Sequence, residues 1–119
     1  MTDLLFGKRV AKTHSRVACC GAVDELNAHL GMVRAGDVSD ELTETINGIQ
    51  KRLVGLMGVV ATASEDHSKY RENGYQGIEQ DDVAWLDSIV QDLEENKGHR
   101  FRGWSRPGRA GELAGAYID

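Results

Sequence analysis

Between residues 42 and 60 the sequence carries Leu42, Ile46, Ile49, Leu53, Leu56 and Val60, apolar positions that alternate steps of four and three without a break. A strand repeats its side chains every two residues and cannot use that spacing, whereas a helix gathers all of these positions on one face. The pattern is the a/d stripe of a helix in a bundle. Ser39, three residues ahead of Leu42, stands where an N-cap accepts the first free amides. The spacing predicts a helix over 39–63. Gly48, Gly55 and Gly58 lie along it and predict the close approach of a neighbouring helix.

Weaker stripes flank this one. Val23, Leu26, Leu30 and Val33 predict a helix over 13–34, capped by Thr13 or Ser15 and ended by "AGDVSDE" at 35–41. Val83, Leu86, Val90 and Leu93 predict another over 79–97. Asp81 and Asp82 sit in its first turn, where the helix dipole favours acids, and Gly98 stands at its C-terminal end. Pro107 suits the first turn of a fourth helix carrying Leu113, Ala114, Tyr117 and Ile118. Residues 64–78, "SEDHSKYRENGYQGI", are polar and aperiodic and read as a long connection or lid. No segment shows the alternation of a half-buried strand. The expected fold is therefore all-α, an antiparallel helical bundle forming one domain over 1–119, with its fourth helix cut short. So short a helix leaves apolar faces uncovered, which predicts either oligomerisation or a fragment.

Composition narrows the function classes. A net charge of -5 gives no basic face for nucleic acid, and no apolar run is long enough to span a bilayer. In "MTDLLFGKRV" the basic residues follow the apolar ones, the reverse of a signal peptide, so a cytoplasmic protein is expected. Cys19 and Cys20 are adjacent, a poor geometry for a bridge, and read as packed thiols in a reducing compartment. With His14, His29, His67 and His99 they match no ligand spacing, and no metal site is expected.

The first helix carries an anomaly. Gly21, Asp24, Asn27 and Gly31 form a polar strip beside its apolar face, and each glycine costs a helix about 1 kcal/mol relative to alanine. A half-buried carboxylate there needs a cation or donors. Asp24 reads either as a structural partner of an arginine, with Arg100, Arg102, Arg106 and Arg109 as candidates, or as a ligand-facing group. At the N-terminus, "TDLLFGKRVAK" supplies a hydroxyl, an acid and cations that suit a polyphosphate, though a solvated tail would carry them equally. "FRGWSRPG" places Phe101 and Trp104 before a helix, either to plug the bundle end or to face a ligand.

"FGKRVAKTHSRVACCGAVDELNAHLG", followed by "IQKRL" and later by "GWSRPG", resembles the PduO-type ATP:cob(I)alamin adenosyltransferases. Their pattern runs approximately FGG-x-R-V-S-K-x-x-x-R-V-x-A-Y-G-x-V-D-E-L-N-x-x-I-G. The likeness follows the whole chain in order. It implies an all-α bundle that assembles as a homotrimer with sites between subunits. It also implies transfer of the 5′-deoxyadenosyl group from ATP, accompanied by Mg2+, to the cobalt of cob(I)alamin. By motif match, Thr2 and Asp3 fall on the loop that contacts ATP and Lys12 falls on the phosphate-binding lysine. Asp24 falls on an aspartate that meets an arginine at the subunit boundary, and Trp104 falls where an aromatic residue lies against the corrin.

The departures from the pattern are specific. Of the family's T-x-T-G-D-x-G loop only "MTDLLFG" is present, "ACCG" replaces "AYG", and "SRPGRAGELAG" brings extra cations to the start of the fourth helix. The sequence stops short of the arginine-rich R-T-V-x-R-R-A-E-R segment and of a fifth helix, as a trimmed or partial product would. The alternative reading is a helical remnant or scaffold that oligomerises without adenosyltransferase activity.

Overall fold

A computed structural model describes residues 1–100, 102–104 and 106. The chain opens with a two-stranded antiparallel hairpin, β1 (Thr2–Asp3) and β2 (Arg9–Val10), in which Thr2 faces Val10 and Asp3 faces Arg9. Strands of two residues are too short to write an alternation, which is why periodicity gives no sign of them.

Two long helices follow, α1 (Ser15–Ala35) and α2 (Asp40–Val60), and the short link between them folds α2 back along α1. Ser39 caps α2 as its position predicts, accepting from the amide of Leu42 at 3.2 Å. At α1 the cap is neither Thr13 nor Ser15 but His14, whose Nδ1 accepts from the Arg16 amide at 3.1 Å. The core lies where the two stripes meet: Leu30, Val33 and Ile46 are buried, with Val38, Ile49 and Leu53 packed around them.

After α2 the polar stretch is partly structured, with a 3-10 turn (Ser64–Asp66) and a short helix α3 (His67–Glu72). One side chain explains α3: Tyr70 is buried, and its hydroxyl donates to the Gln76 carbonyl at 2.9 Å. The last described helix, α4 (Gln80–Glu95), opens with a capping box between Glu79 and Asp82. Gly98 follows it at φ 68, the left-handed conformation expected of it, and the His99 amide reaches back to Leu93 O at 2.9 Å. The predicted fourth helix from Pro107 lies outside the described residues.

The docking of α4 differs from the expectation set by its stripe. Val83, Leu86, Val90 and Leu93 are exposed, Val90 by 52%. The contact with α2 is made by Trp85 and Asp82 instead. An added Cβ at Gly48 would stand 2.8 Å from the Trp85 ring, so the missing side chain is the seat of the indole. Arg52 closes the seat from the other side, its guanidinium 3.7 Å from the ring centroid and its Nη1 donating to Gly48 O at 3.0 Å. Its Nε lies 2.9 Å from Asp82 Oδ1, a charge pair rather than an aligned hydrogen bond. A large ring held by a stacked cation and an ion pair outweighs four smaller side chains one face away.

Candidate functional site

The residues that leave α2 bind almost everything around them. Arg16, in the first turn of α1, donates to Val60 O at 3.1 Å and to Ser64 Oγ at 2.7 Å. The Leu5 amide donates to Ala61 O at 2.9 Å, which sets the N-terminal hairpin on the same end of the bundle. Thr62 is fully buried, its hydroxyl donating to Gly58 O at 2.7 Å, and its carbonyl lies 3.1 Å from His67 Nε2. Glu65 forms an ion pair with Lys8. The hydrogen bond and charge of Glu65 raise the Lys8 pKa, and the hydrogen bond from Lys8 is the first cause that lowers the Glu65 carboxyl.

The hairpin tip is under backbone constraint. Phe6 takes φ 61 and ψ 25, a left-handed conformation uncommon for a residue with a side chain, and Gly7 follows at φ 72. Lys69 lies over the Phe6 ring at 4.6 Å, and Leu4 beside it is buried. Lys8, Arg9, Lys12 and Arg16 therefore gather around one end of the bundle, together with the N-terminus of α1. Among the described residues Arg9 and Lys12 have no ion-pair partner.

Of the residues singled out in sequence, the structure brings Thr2, Asp3 and Lys12 together on this hairpin and its exit. Asp24 lies elsewhere, nine residues into α1, or about 13 Å along the axis at 1.5 Å per residue. It is exposed, without an ion pair among the described residues. Trp104 lies beyond α4 and is 96% exposed.

The polar strip of α1 divides into two. Its lower half faces α2: Gln50 Nε2 donates to the Asn27 carbonyl at 3.0 Å and would lie 3.5 Å from a Cβ at Gly31. Asn27 Oδ1 and Gln50 Oε1 are buried there without donors. Its upper half, Gly21 and Asp24, is open, and a Cβ at Gly21 would meet nothing within 4 Å. Gly31 faces Gln50 of α2 at a distance that an added Cβ would tolerate. The thiols also differ from expectation: Cys19 is exposed, and only Cys20 is half-buried, which raises its pKa. Among the described residues no cluster of three or more His, Cys, Asp and Glu side chains could hold a metal ion, and no helix is long and apolar enough to cross a membrane.

Arg16, Ser64, Glu65 and the Arg52–Trp85 stack were not singled out from the sequence. Only the glycines of α2 announced any of this, by marking where large groups come close.

The model of the cobalamin adenosyltransferase family matches residues 1–119. The chain is 30% identical over 109 residues to the corrinoid adenosyltransferase PduO of Citrobacter freundii, a match covering 92% of this chain and 31% of that protein. It is 36% identical over 67 residues to the corrinoid adenosyltransferase PduO of Salmonella typhimurium, covering 56% of this chain and 20% of that protein. The chain thus spans less than a third of the length of the curated relatives it matches. No solved structure matches it.

Proposed function

From the premise that this chain belongs to the cobalamin adenosyltransferase family, we propose that it is part of a cytoplasmic enzyme moving the 5′-deoxyadenosyl group of ATP to cob(I)alamin or a related corrinoid. Cobalt(I) of the substrate supplies the electron pair. A cobalt–carbon bond forms at C5′, the C5′–oxygen bond breaks, and triphosphate leaves with that bond's electrons. The protein supplies no nucleophile. Its work is to hold the two substrates in line and to stabilise charge on the leaving triphosphate.

The observation that carries this reading is the hairpin, which brings Thr2 and Asp3, with Lys12 at its exit, to the N-terminal end of α1. Lys12 contributes a charge to phosphate. Asp3, the one carboxylate on the hairpin, fits a magnesium ion carried by the phosphates, since that ion accepts one or two carboxylates beside phosphate oxygens. Asp24 takes an arginine at a subunit boundary, for which its exposure leaves room. Trp104 takes the corrin face.

Assembly as a homotrimer belongs to the same proposal. The apolar stripe of α4, with Leu26 and Met32 on α1 and Val54 on α2, is exposed in the protomer and offers apolar surface for the contact between subunits. The test is to add ATP to cob(I)alamin under strict reduction and follow the absorbance of adenosylcobalamin. The reading expects product that depends on both the protein and ATP. Corrinoid binding with no turnover would favour the non-catalytic scaffold.

A further inference from the structure

Two of the positions that follow α2, Ala61 and Glu65, bond to the N-terminal hairpin, and a third, Ser64, bonds to Arg16 in the first turn of α1, just beyond the hairpin's exit. Leu5 is held by Ala61 O, Arg16 by Val60 O and Ser64 Oγ, and Lys8 by Glu65. Thr62 and Ala63 between them are buried, and His67 holds the Thr62 carbonyl, so the segment that receives the hairpin is itself fixed. A two-stranded hairpin alone is marginal in water at best. Its position has to be supplied from elsewhere, and these bonds supply it.

We infer that Ser64 and Glu65 are positioning residues for nucleotide binding, acting through Arg16 and Lys8 to fix the hairpin that carries Thr2, Asp3 and Lys12. The inference rests on the proposed use of ATP at that hairpin. Neither Ser64 nor Glu65 touches the nucleotide. Lys8 serves as a tether and not as a phosphate ligand, since its ammonium is committed to the Glu65 carboxylate.

The sign of one substitution separates this role from simple electrostatics. Glu65 places a negative charge beside a cationic site, so if charge alone mattered, Glu65→Gln would tighten ATP binding. As a tether it does the reverse. Equilibrium binding of ATP to the chain, before and after Glu65→Gln and Ser64→Ala, is expected to weaken by about three- to fivefold for each, the range of an exposed pair or a single hydrogen bond. Exchange of the Leu5 amide with solvent deuterium should quicken in both variants while the melting temperature stays in place. The charge-swapped pair, Lys8→Glu with Glu65→Lys, should restore both affinity and protection.

Tighter or unchanged ATP binding in Glu65→Gln overturns the inference, as does a swapped pair that remains as weak as a Lys8→Glu single variant. If the unaltered chain binds no ATP, the proposed function fails and the tether is judged by the exchange of Leu5 alone. Unchanged protection in both single variants then overturns it as well.

Discussion

Lys12 stands at the exit of the hairpin with no carboxylate to satisfy it among the described residues, whereas Lys8, four residues earlier, is already paired. The two lysines should therefore behave differently. Lys12→Ala should weaken ATP binding by roughly tenfold, the worth of one charge-assisted hydrogen bond, and leave sedimentation unchanged. The Lys8–Glu65 pair should instead show itself in pH dependence. The carboxyl of Glu65 is lowered, so its contribution is complete above the ordinary carboxylate range and is lost as pH falls through the lowered value. The ammonium of Lys8 is raised, so its share is complete below the ordinary lysine value and is lost as pH rises through the raised one. The tether holds across neutrality, and Leu5 amide exchange, corrected for its intrinsic rate, should quicken on the acid side. For Asp24 the expectation concerns the assembly: with the proposed arginine opposite it in a desolvated pair, Asp24→Asn would leave that arginine unpaired at a cost of about 3 kcal/mol. Sedimentation equilibrium should report weaker assembly at constant helix content, and unchanged assembly would make Asp24 a solvated edge.

At the scale of elements, α2 is the helix whose sequence says most, because its neighbours pack where its side chains are absent. Gly48 seats Trp85, Gly55 lies against the backbone of Gln76 and Gly77, and Gly58 receives Tyr70. A Cβ at Gly58 would collide with the hydroxyl of Tyr70 and lie 3.0 Å from its ring, and Tyr70 is buried with its hydroxyl bonded to Gln76 O. Gly58→Ala should cost about 1–3 kcal/mol by overpacking, read as a lower denaturant midpoint. Gly21→Ala, which meets nothing in one protomer, should gain up to about 1 kcal/mol of helix propensity. The stripe of α2 was legible in part: Ile46 is buried and Ile49, Leu53, Leu56 and Val60 are half-buried, while Leu42 in its first turn is exposed. On α4 the same kind of stripe misled, because that helix has two apolar faces and the one with the larger ring won the contact within the chain. The strands and α3 were illegible for a different reason. Their positions are set by single distant bonds, Leu5 to Ala61 and Tyr70 to Gln76, which leave no periodic mark.

For the whole molecule, the exposed stripe of α4 is apolar surface that the described residues leave uncovered. Val90→Glu, at a position 52% exposed in the protomer, should leave the fold intact and abolish assembly in sedimentation equilibrium. A Val90→Glu protein that still assembles would place the interface elsewhere. The candidate site was legible in part for a related reason. Thr2, Asp3 and Lys12 sit together because the hairpin is local in sequence, whereas Asp24 lies nine residues into α1 and Trp104 beyond α4. The most direct test of the account uses ATP labelled in its adenosyl carbons, mixed with cob(I)alamin and the protein. Label is expected in the corrinoid, with one intact triphosphate released for each label transferred. Label left in ADP with free phosphate, or no transfer from protein shown to be folded and assembled, would contradict it.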